Sequence, residues 1–409
     1  MNAQPPIIHG EVAPGFEPVR REFERNFRER GEVGASCAIY LDGKPVVDIW
    51  GGLARPEDDA PWERDTLALV YSVTKGAAAI LCHQLVREGL LDLDAPVASY
   101  WPEFGAAGKG EITVRTLLAH RAGLPLLETA LPFETLLDEG AAAAALARQA
   151  PVWEPGTNHG YHTLTFGWLV GEIVHRVTGK TLGNAFRERI AEPLGIDFFI
   201  GLPESEEGRL APLQEGPQPD VDAELAAIAD PEIRAAVAEM LAEMEDPDSL
   251  SARAYTTNGE LLVPDSDTWN RRDVHAAEIP AANGITNARS LGHLYAACVG
   301  PVDGLRVLED PELREVTRLE SAGLDLVYRL PYTYSSGFYL AMPLNPLLSD
   351  RSFGHSGSGG ALGFADARFG IGFGYVQNMH GYAITSVEPR ALALVGGLRE
   401  SLGLEPLDP

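Results

Sequence analysis

The chain has 409 residues, 45% hydrophobic and 22% charged, a globular composition long enough for a large core or two contiguous ones, which excludes a disordered or fibrous protein. Its 59 acidic residues outnumber 32 basic ones, and the formal charge of −27 repels phosphate backbones and anionic membrane surfaces, so no nucleic-acid partner is expected. Three cysteines, Cys37, Cys82 and Cys298, form no CxxC pair and sit among apolar neighbours, which disfavours disulfides and zinc.

The first residues carry neither a basic nor an apolar leader region, and no stretch approaches the roughly 18 apolar residues of a membrane span, so the expected location is the cytoplasm without membrane attachment. Glu17 to Arg30 places Phe23 and Phe27 at helical spacing among charges and predicts a surface helix. Ala35–Leu41 and Pro45–Trp50 are β-rich runs joined by Asp42-Gly43, a hairpin signal. From about Thr66 helices take over. Ser72 opens one that carries Ala77, Ile80, Leu81, Leu85 and Val86 to a stop at Gly89, Thr113 can cap a short helix holding Leu117 and Leu118, and Thr163–Thr178 is ended by Gly179.

Residues 204–273 are acidic and rich in proline, with one helix from about Pro231 to Glu245 between segments without periodicity. This insertion reads equally as a solvated excursion or as a lid that shapes a substrate site. After Leu330 the period returns to two over Ser336–Leu340, Phe353–His355, Ala361–Ala367 and Ile371–Asn378, and Glu388–Leu402 closes the chain as a helix. The expectation is an α+β fold. Residues 1–65 and 330–409 build an antiparallel sheet with the terminal helices on one face, and residues 66–329 form a mainly helical domain against the other.

Within Leu69-Val-Tyr-Ser72-Val-Thr-Lys75-Gly76, a serine precedes a lysine by three residues at a helix start, which sets the amine one turn above the hydroxyl on the same face. There the amine can take the serine proton while a free backbone N–H at the helix N-terminus faces a developing oxyanion. Alone, such a pair is weak, because serines and lysines often just cap and solvate a helix. The small apolar run after Lys75 raises the odds by desolvating the amine and lowering its pKa.

Ser72-Val-Thr-Lys75 resembles the Ser-x-x-Lys of the serine β-lactamase and penicillin-binding superfamily, closest to the family VIII carboxylesterases. Further blocks match in order: Ile112 to Leu124, with Leu117-Leu-Ala-His120 and Gly123-Leu124, then Trp153-Glu-Pro-Gly156, then Tyr161-His162-Thr163 in the place of Tyr-x-Asn, and His355-Ser356-Gly357 in that of Lys-Thr-Gly. The resemblance spans roughly residues 17 to 400, and five ordered blocks are far more specific than one motif. It implies the β-lactamase/transpeptidase-like fold and a serine hydrolase acting through an acyl-enzyme, with Ser72 as nucleophile. Tyr161 is implied as general base, its phenolate favoured by Lys75, and the backbone N–H groups of Ser72 and Ser358 as the oxyanion hole. Thr163, Trp153, His355, Ser356 and Gly357 are the expected substrate-binding residues. Whether Lys75 or Tyr161 is the working base stays open, because a coupled pair titrates as a unit.

A short-chain carboxylic ester, as a small-molecule partner, is the expected substrate. Cleavage of a β-lactam or a D-amino-acid peptide would use the same machinery, but Thr163 lacks the amide of asparagine and His355 replaces a lysine that would grip a carboxylate. A catalytically silent binding protein is the reading of another class, and the joint presence of Ser72, Lys75 and Tyr161 argues against it. His120 reads as structural, His159 and His162 lack a carboxylate or cysteine to complete a metal set, and no Gly-x-Ser-x-Gly or dinucleotide fingerprint occurs, so no metal and no cofactor are expected.

Overall fold

In the computed structural model, the described residues are 7–228, 230–258, 260–261, 265–382 and 388–407. Both ends of the chain meet in one antiparallel sheet. Its strands are β1 (Ile8–Val12), β2 (Gly34–Leu41), β3 (Lys44–Arg55), β4 (Ser321–Leu324), β5 (Pro331–Tyr334), β6 (Tyr339–Leu340), β7 (Ser352–Ser356), β8 (Leu362–Asp366) and β9 (Ile371–Gln377). Their spatial order is β1-β3-β2-β9-β8-β7-β6-β5-β4, with Ala60–Pro61 paired to β3. The register Ile371↔Leu41 through Gln377↔Ala35 zips the C-terminal strand onto the N-terminal hairpin. Asp42 and Gly43, at φ 48° and 74°, make the left-handed turn the hairpin needs.

Helices cover both faces. α1 (Glu17–Glu29) buries Val19, Phe23 and Asn26, and packs with α6 (Pro389–Ser401) on one side over Ile39, Ile49, Phe364 and Phe373. On the other side α2 (Val73–Arg87) and α5 (Ala288–Val299) lie against the sheet, α3 (Thr165–Thr178) packs on α2, and α4 (Pro231–Glu245) joins a cluster with Tyr332 and Tyr339. α5 comes so close to the sheet that a Cβ at Gly372 would lie 2.2 Å from the Ala296 nitrogen, which is why β9 alternates glycine there. Thr113 caps Val114–Leu118 through the Thr116 N–H, and Gly179 ends α3 in the left-handed conformation.

Two departures from the sequence reading matter. The sheet begins at Ser321, before residue 330, and gains the polar edge strand β1. The 204–273 insertion is more helical than its composition suggests, with Val221–Ala227 and Leu250–Thr256 flanking α4. Those helices bury Val237 and Ala254 in one apolar cluster with Tyr161, Tyr332, Tyr334 and Tyr339, so the insertion packs over the predicted site.

Candidate active site

The chain enters the site through a tight turn. Tyr71 adopts φ 46°, a left-handed conformation rare for an aromatic residue, and so swings the backbone from the short strand Ala68–Leu69 into α2 with Ser72 at its N-cap. Trp269, 5.0 Å from the Tyr71 ring, packs that residue in place. Thr74 Oγ1 accepts from the Gly284 N–H at 2.8 Å and ties the turn to the 279–284 loop.

Lys75 is fully buried, yet all its polar contacts are made. Its Nζ lies 2.6 Å from the Thr163 carbonyl, 2.9 Å from the Ala281 carbonyl and 3.2 Å from Ser72 Oγ. Burial holds the amine well below its ordinary pKa. A neutral amine has two N–H groups and one lone pair. With both N–H groups given to carbonyls, the lone pair is left facing the Ser72 hydroxyl, whose proton it can accept.

Tyr161 is 1% exposed, stacks on Tyr328 at 4.8 Å and lies 4.7 Å, ring centroid to Nζ, from Lys75. Its hydroxyl has those of Ser72, Tyr328 and Tyr339 as hydrogen-bonding neighbours and sits 3.5 Å from His355 Nε2. Burial pushes this phenol above its ordinary value, because the tyrosine cluster excludes the water that would solvate the anion, which weighs toward Lys75 in the choice of base that the sequence leaves open.

A cleft of about 230 Å³ opens beside these groups. Of the residues predicted from sequence, Ser72, Tyr161, Thr163, Ser356, Gly357 and Ser358 line it, whereas Trp153 and His355 stand behind it. Trp153 packs on Gly160 and edge-on to His162, and so supports the segment leading to Tyr161. His355 is 2% exposed, donates from Nδ1 to the Ser356 carbonyl at 2.7 Å and turns Nε2 toward Tyr161; burial holds it down at about 3, so it is neutral and unsuited to gripping a carboxylate. Among the described residues no partner takes up the backbone N–H of Ser72 or Ser358, and the two flank the cleft.

Several contributors carried no sequence signal. Asp325, wholly buried, accepts from the N–H groups of Tyr161, Val327 and Tyr328 and from the Tyr334 hydroxyl, all between 2.7 and 3.1 Å, and thereby orients two tyrosines of the cleft. Tyr255 of the insertion and Tyr328 form a wall of the cleft. The Thr163 and Ala281 carbonyls that hold Lys75 are main-chain groups, invisible to any motif. His120 is structural in its contacts: its Nδ1 accepts from the His162 N–H at 3.0 Å. Among the described residues no group of three or more His, Cys, Asp or Glu side chains could hold a metal ion, and no helix is long and apolar enough to cross a membrane.

A family profile described as beta-lactamase matches residues 21–396. The esterase/beta-lactamase LipL of Mycobacterium tuberculosis (strain ATCC 25618 / H37Rv) is 36% identical over 91% of this chain and 83% of its own length. The chain belongs to the beta-lactamase family of serine hydrolases. Among solved structures, a family VIII carboxylesterase superposes with a TM-score of 0.84 at 36% identity, covering 97% of this chain and all of the other. EstA from Arthrobacter nitroguajacolicus Rue61a gives 0.81 at 34% identity, over 96% of this chain and 98% of its own. These neighbours share the β-lactamase-like architecture expected from the ordered motifs.

Proposed function

We propose that the protein is a carboxylesterase that cleaves small or short-chain esters through an acyl-enzyme on Ser72. The observation that carries this reading is the buried Lys75 amine, set 2.6 and 2.9 Å from the carbonyls of Thr163 and Ala281 and 3.2 Å from Ser72 Oγ; in its neutral form it keeps two N–H groups for the carbonyls and a lone pair for the hydroxyl. Ser72 Oγ attacks the ester carbonyl as its proton passes to Lys75, and the N–H groups of Ser72 and Ser358 receive the oxyanion. Tyr161, un-ionised, donates its proton to the departing alkoxide oxygen and regains one from the Lys75 ammonium, which restores the neutral amine. Water then repeats the sequence on the acyl-enzyme, its proton passing through the same pair, and releases the acid.

Esters are favoured over β-lactams by the absence of any lysine or arginine among the described residues lining the cleft, and by Thr163, whose hydroxyl replaces a carboxamide. The likeness to the carboxylesterase structure supports the same choice. No step calls for a cofactor. The test is a panel of p-nitrophenyl esters of increasing acyl length with nitrocefin included, run on wild type and Ser72→Ala. Ser72-dependent turnover that falls with acyl length is expected; a preference for nitrocefin by orders of magnitude would overturn the reading.

A further inference from the structure

The turn that presents Ser358 to the cleft is pinned from behind the sheet. Residues 358–360 form a single tight turn in which Gly359 and Gly360 take φ 83° and 124°, conformations that favour glycine, and Ser358 Oγ is hydrogen-bonded to His380 Nε2 at 2.9 Å. One carbonyl, that of Gly359, takes three donors: Gln377 Nε2 at 2.7 Å, the Gly381 N–H at 2.9 Å and Arg390 Nη2 at 3.1 Å. The same Nη2 donates to the Met379 carbonyl at 2.9 Å, so one guanidinium nitrogen joins the turn to the strand end beside it. Space is as tight as the bonding. A Cβ at Gly381 would lie 2.5 Å from Arg390 Nη2, and one at Gly360 would lie 3.0 Å from Glu388 Oε2.

Arg390 is itself fixed on its remaining sides. Its side chain is 1% exposed, Nη1 donates to Glu32 Oε1 and Nε to Glu388 Oε1, both at 2.8 Å, and Glu32 also accepts from the Tyr375 hydroxyl. A buried ion pair of this kind gives little net stability, because desolvation offsets the attraction. What it supplies is placement: every guanidinium nitrogen is committed, and one of its acceptors is the carbonyl of Gly359, which lines the cleft.

We propose that Arg390, held by Glu32 and Glu388, is a positioning residue that aims the Ser358 N–H at the oxyanion by clamping the Gly359 carbonyl. The inference rests on the function proposed above. Arg390 touches no substrate; it fixes the peptide planes of the turn, and an oxyanion donor loses its effect when the turn relaxes by a fraction of an ångström.

The test compares wild type with Arg390→Lys and Gln377→Leu in hydrolysis of p-nitrophenyl acetate, with two inhibitors alongside. An alkyl trifluoromethyl ketone forms a serine adduct bearing an oxyanion, and acetate, the product acid, does not. For Arg390→Lys we expect kcat to fall roughly ten- to hundredfold with KM within about twofold, and for Gln377→Leu a fall of about three- to tenfold. The ketone Ki should rise by the factor lost in kcat/KM while the acetate Ki holds, a pattern that general loosening of the fold would not give. Unchanged kcat and ketone Ki in folded variants, or a shift in KM alone, would overturn the proposal. Should Arg390→Lys fail to fold, Gln377→Leu decides, because it strands no buried charge. Wild-type turnover that survives Ser72→Ala would overturn the esterase reading and this one with it; Ser72-dependent turnover indifferent to both variants would overturn this one alone.

Discussion

Replacing Lys75 with methionine separates its chemistry from its packing, because methionine fills a similar volume without a donor or a base. Two buried carbonyls, of Thr163 and Ala281, would lose their donor, at about 1–3 kcal/mol each. Against this, the variant no longer desolvates an amine, so the net change in stability at neutral pH is smaller than that sum. The rate is not compensated in this way. Loss of the base should lower kcat for p-nitrophenyl acetate by at least about 10²–10⁴, or roughly 3–5 kcal/mol in barrier. The amine's folded pKa lies well below its ordinary value, so the unfolded chain binds the extra proton between that depressed value and about 10.4. Wild-type stability therefore gains from Lys75 as pH rises through this window and loses as pH falls. Lys75→Met has no such dependence, so its melting temperature relative to wild type should climb as the pH is lowered from 9 to 6. Activity within tenfold of wild type, or a melting difference independent of pH, would refute the neutral-amine argument.

Tyr161→Phe should lower kcat by about 10²–10³, because the proton donor to the leaving oxygen is lost; steady-state kinetics checks it. Asp325→Ala strands three backbone N–H groups and the Tyr334 hydroxyl, and should cost at least about 3 kcal/mol in urea unfolding while raising KM through the displaced Tyr161 and Tyr328. Glu139, whose Oε1 has no partner among the described residues, is pushed by burial up to about 9, so the unfolded chain releases its proton first. Stability should fall as pH rises from about 4.5 to 9, and Glu139→Gln should raise the melting temperature at pH 8 while leaving it unchanged at pH 4.

Elements whose signal is local were legible in the sequence. The spacing of Phe23 and Phe27, the Asp42-Gly43 turn and the Thr113 cap each fix a short stretch by its own side chains, and Ser72, Lys75 and Tyr161 were legible because they sit in ordered blocks. β1 and β4 were not, since Ile8–Val12 carries a histidine, a glycine and a glutamate and Ser321–Leu324 is short and mostly exposed, so neither alternates strongly. The surroundings of Tyr161 were not legible, for a tertiary reason. Tyr328 and Tyr339, which keep water from it, are more than 160 residues away in the chain, and Asp325, which orients its backbone, belongs to no motif. His355 fell at the motif position of a substrate-binding lysine, but its hydrogen bond to the next residue's carbonyl turns the ring inward.

The most direct test of Ser72 as the acylated nucleophile is intact-mass analysis with peptide mapping after treatment with a serine-directed fluorophosphonate. A single adduct on Ser72, absent from Ser72→Ala and accompanied by complete loss of ester turnover, is the predicted result. Turnover that persists without an adduct on Ser72, or an adduct that falls on another residue such as Ser358, would contradict it.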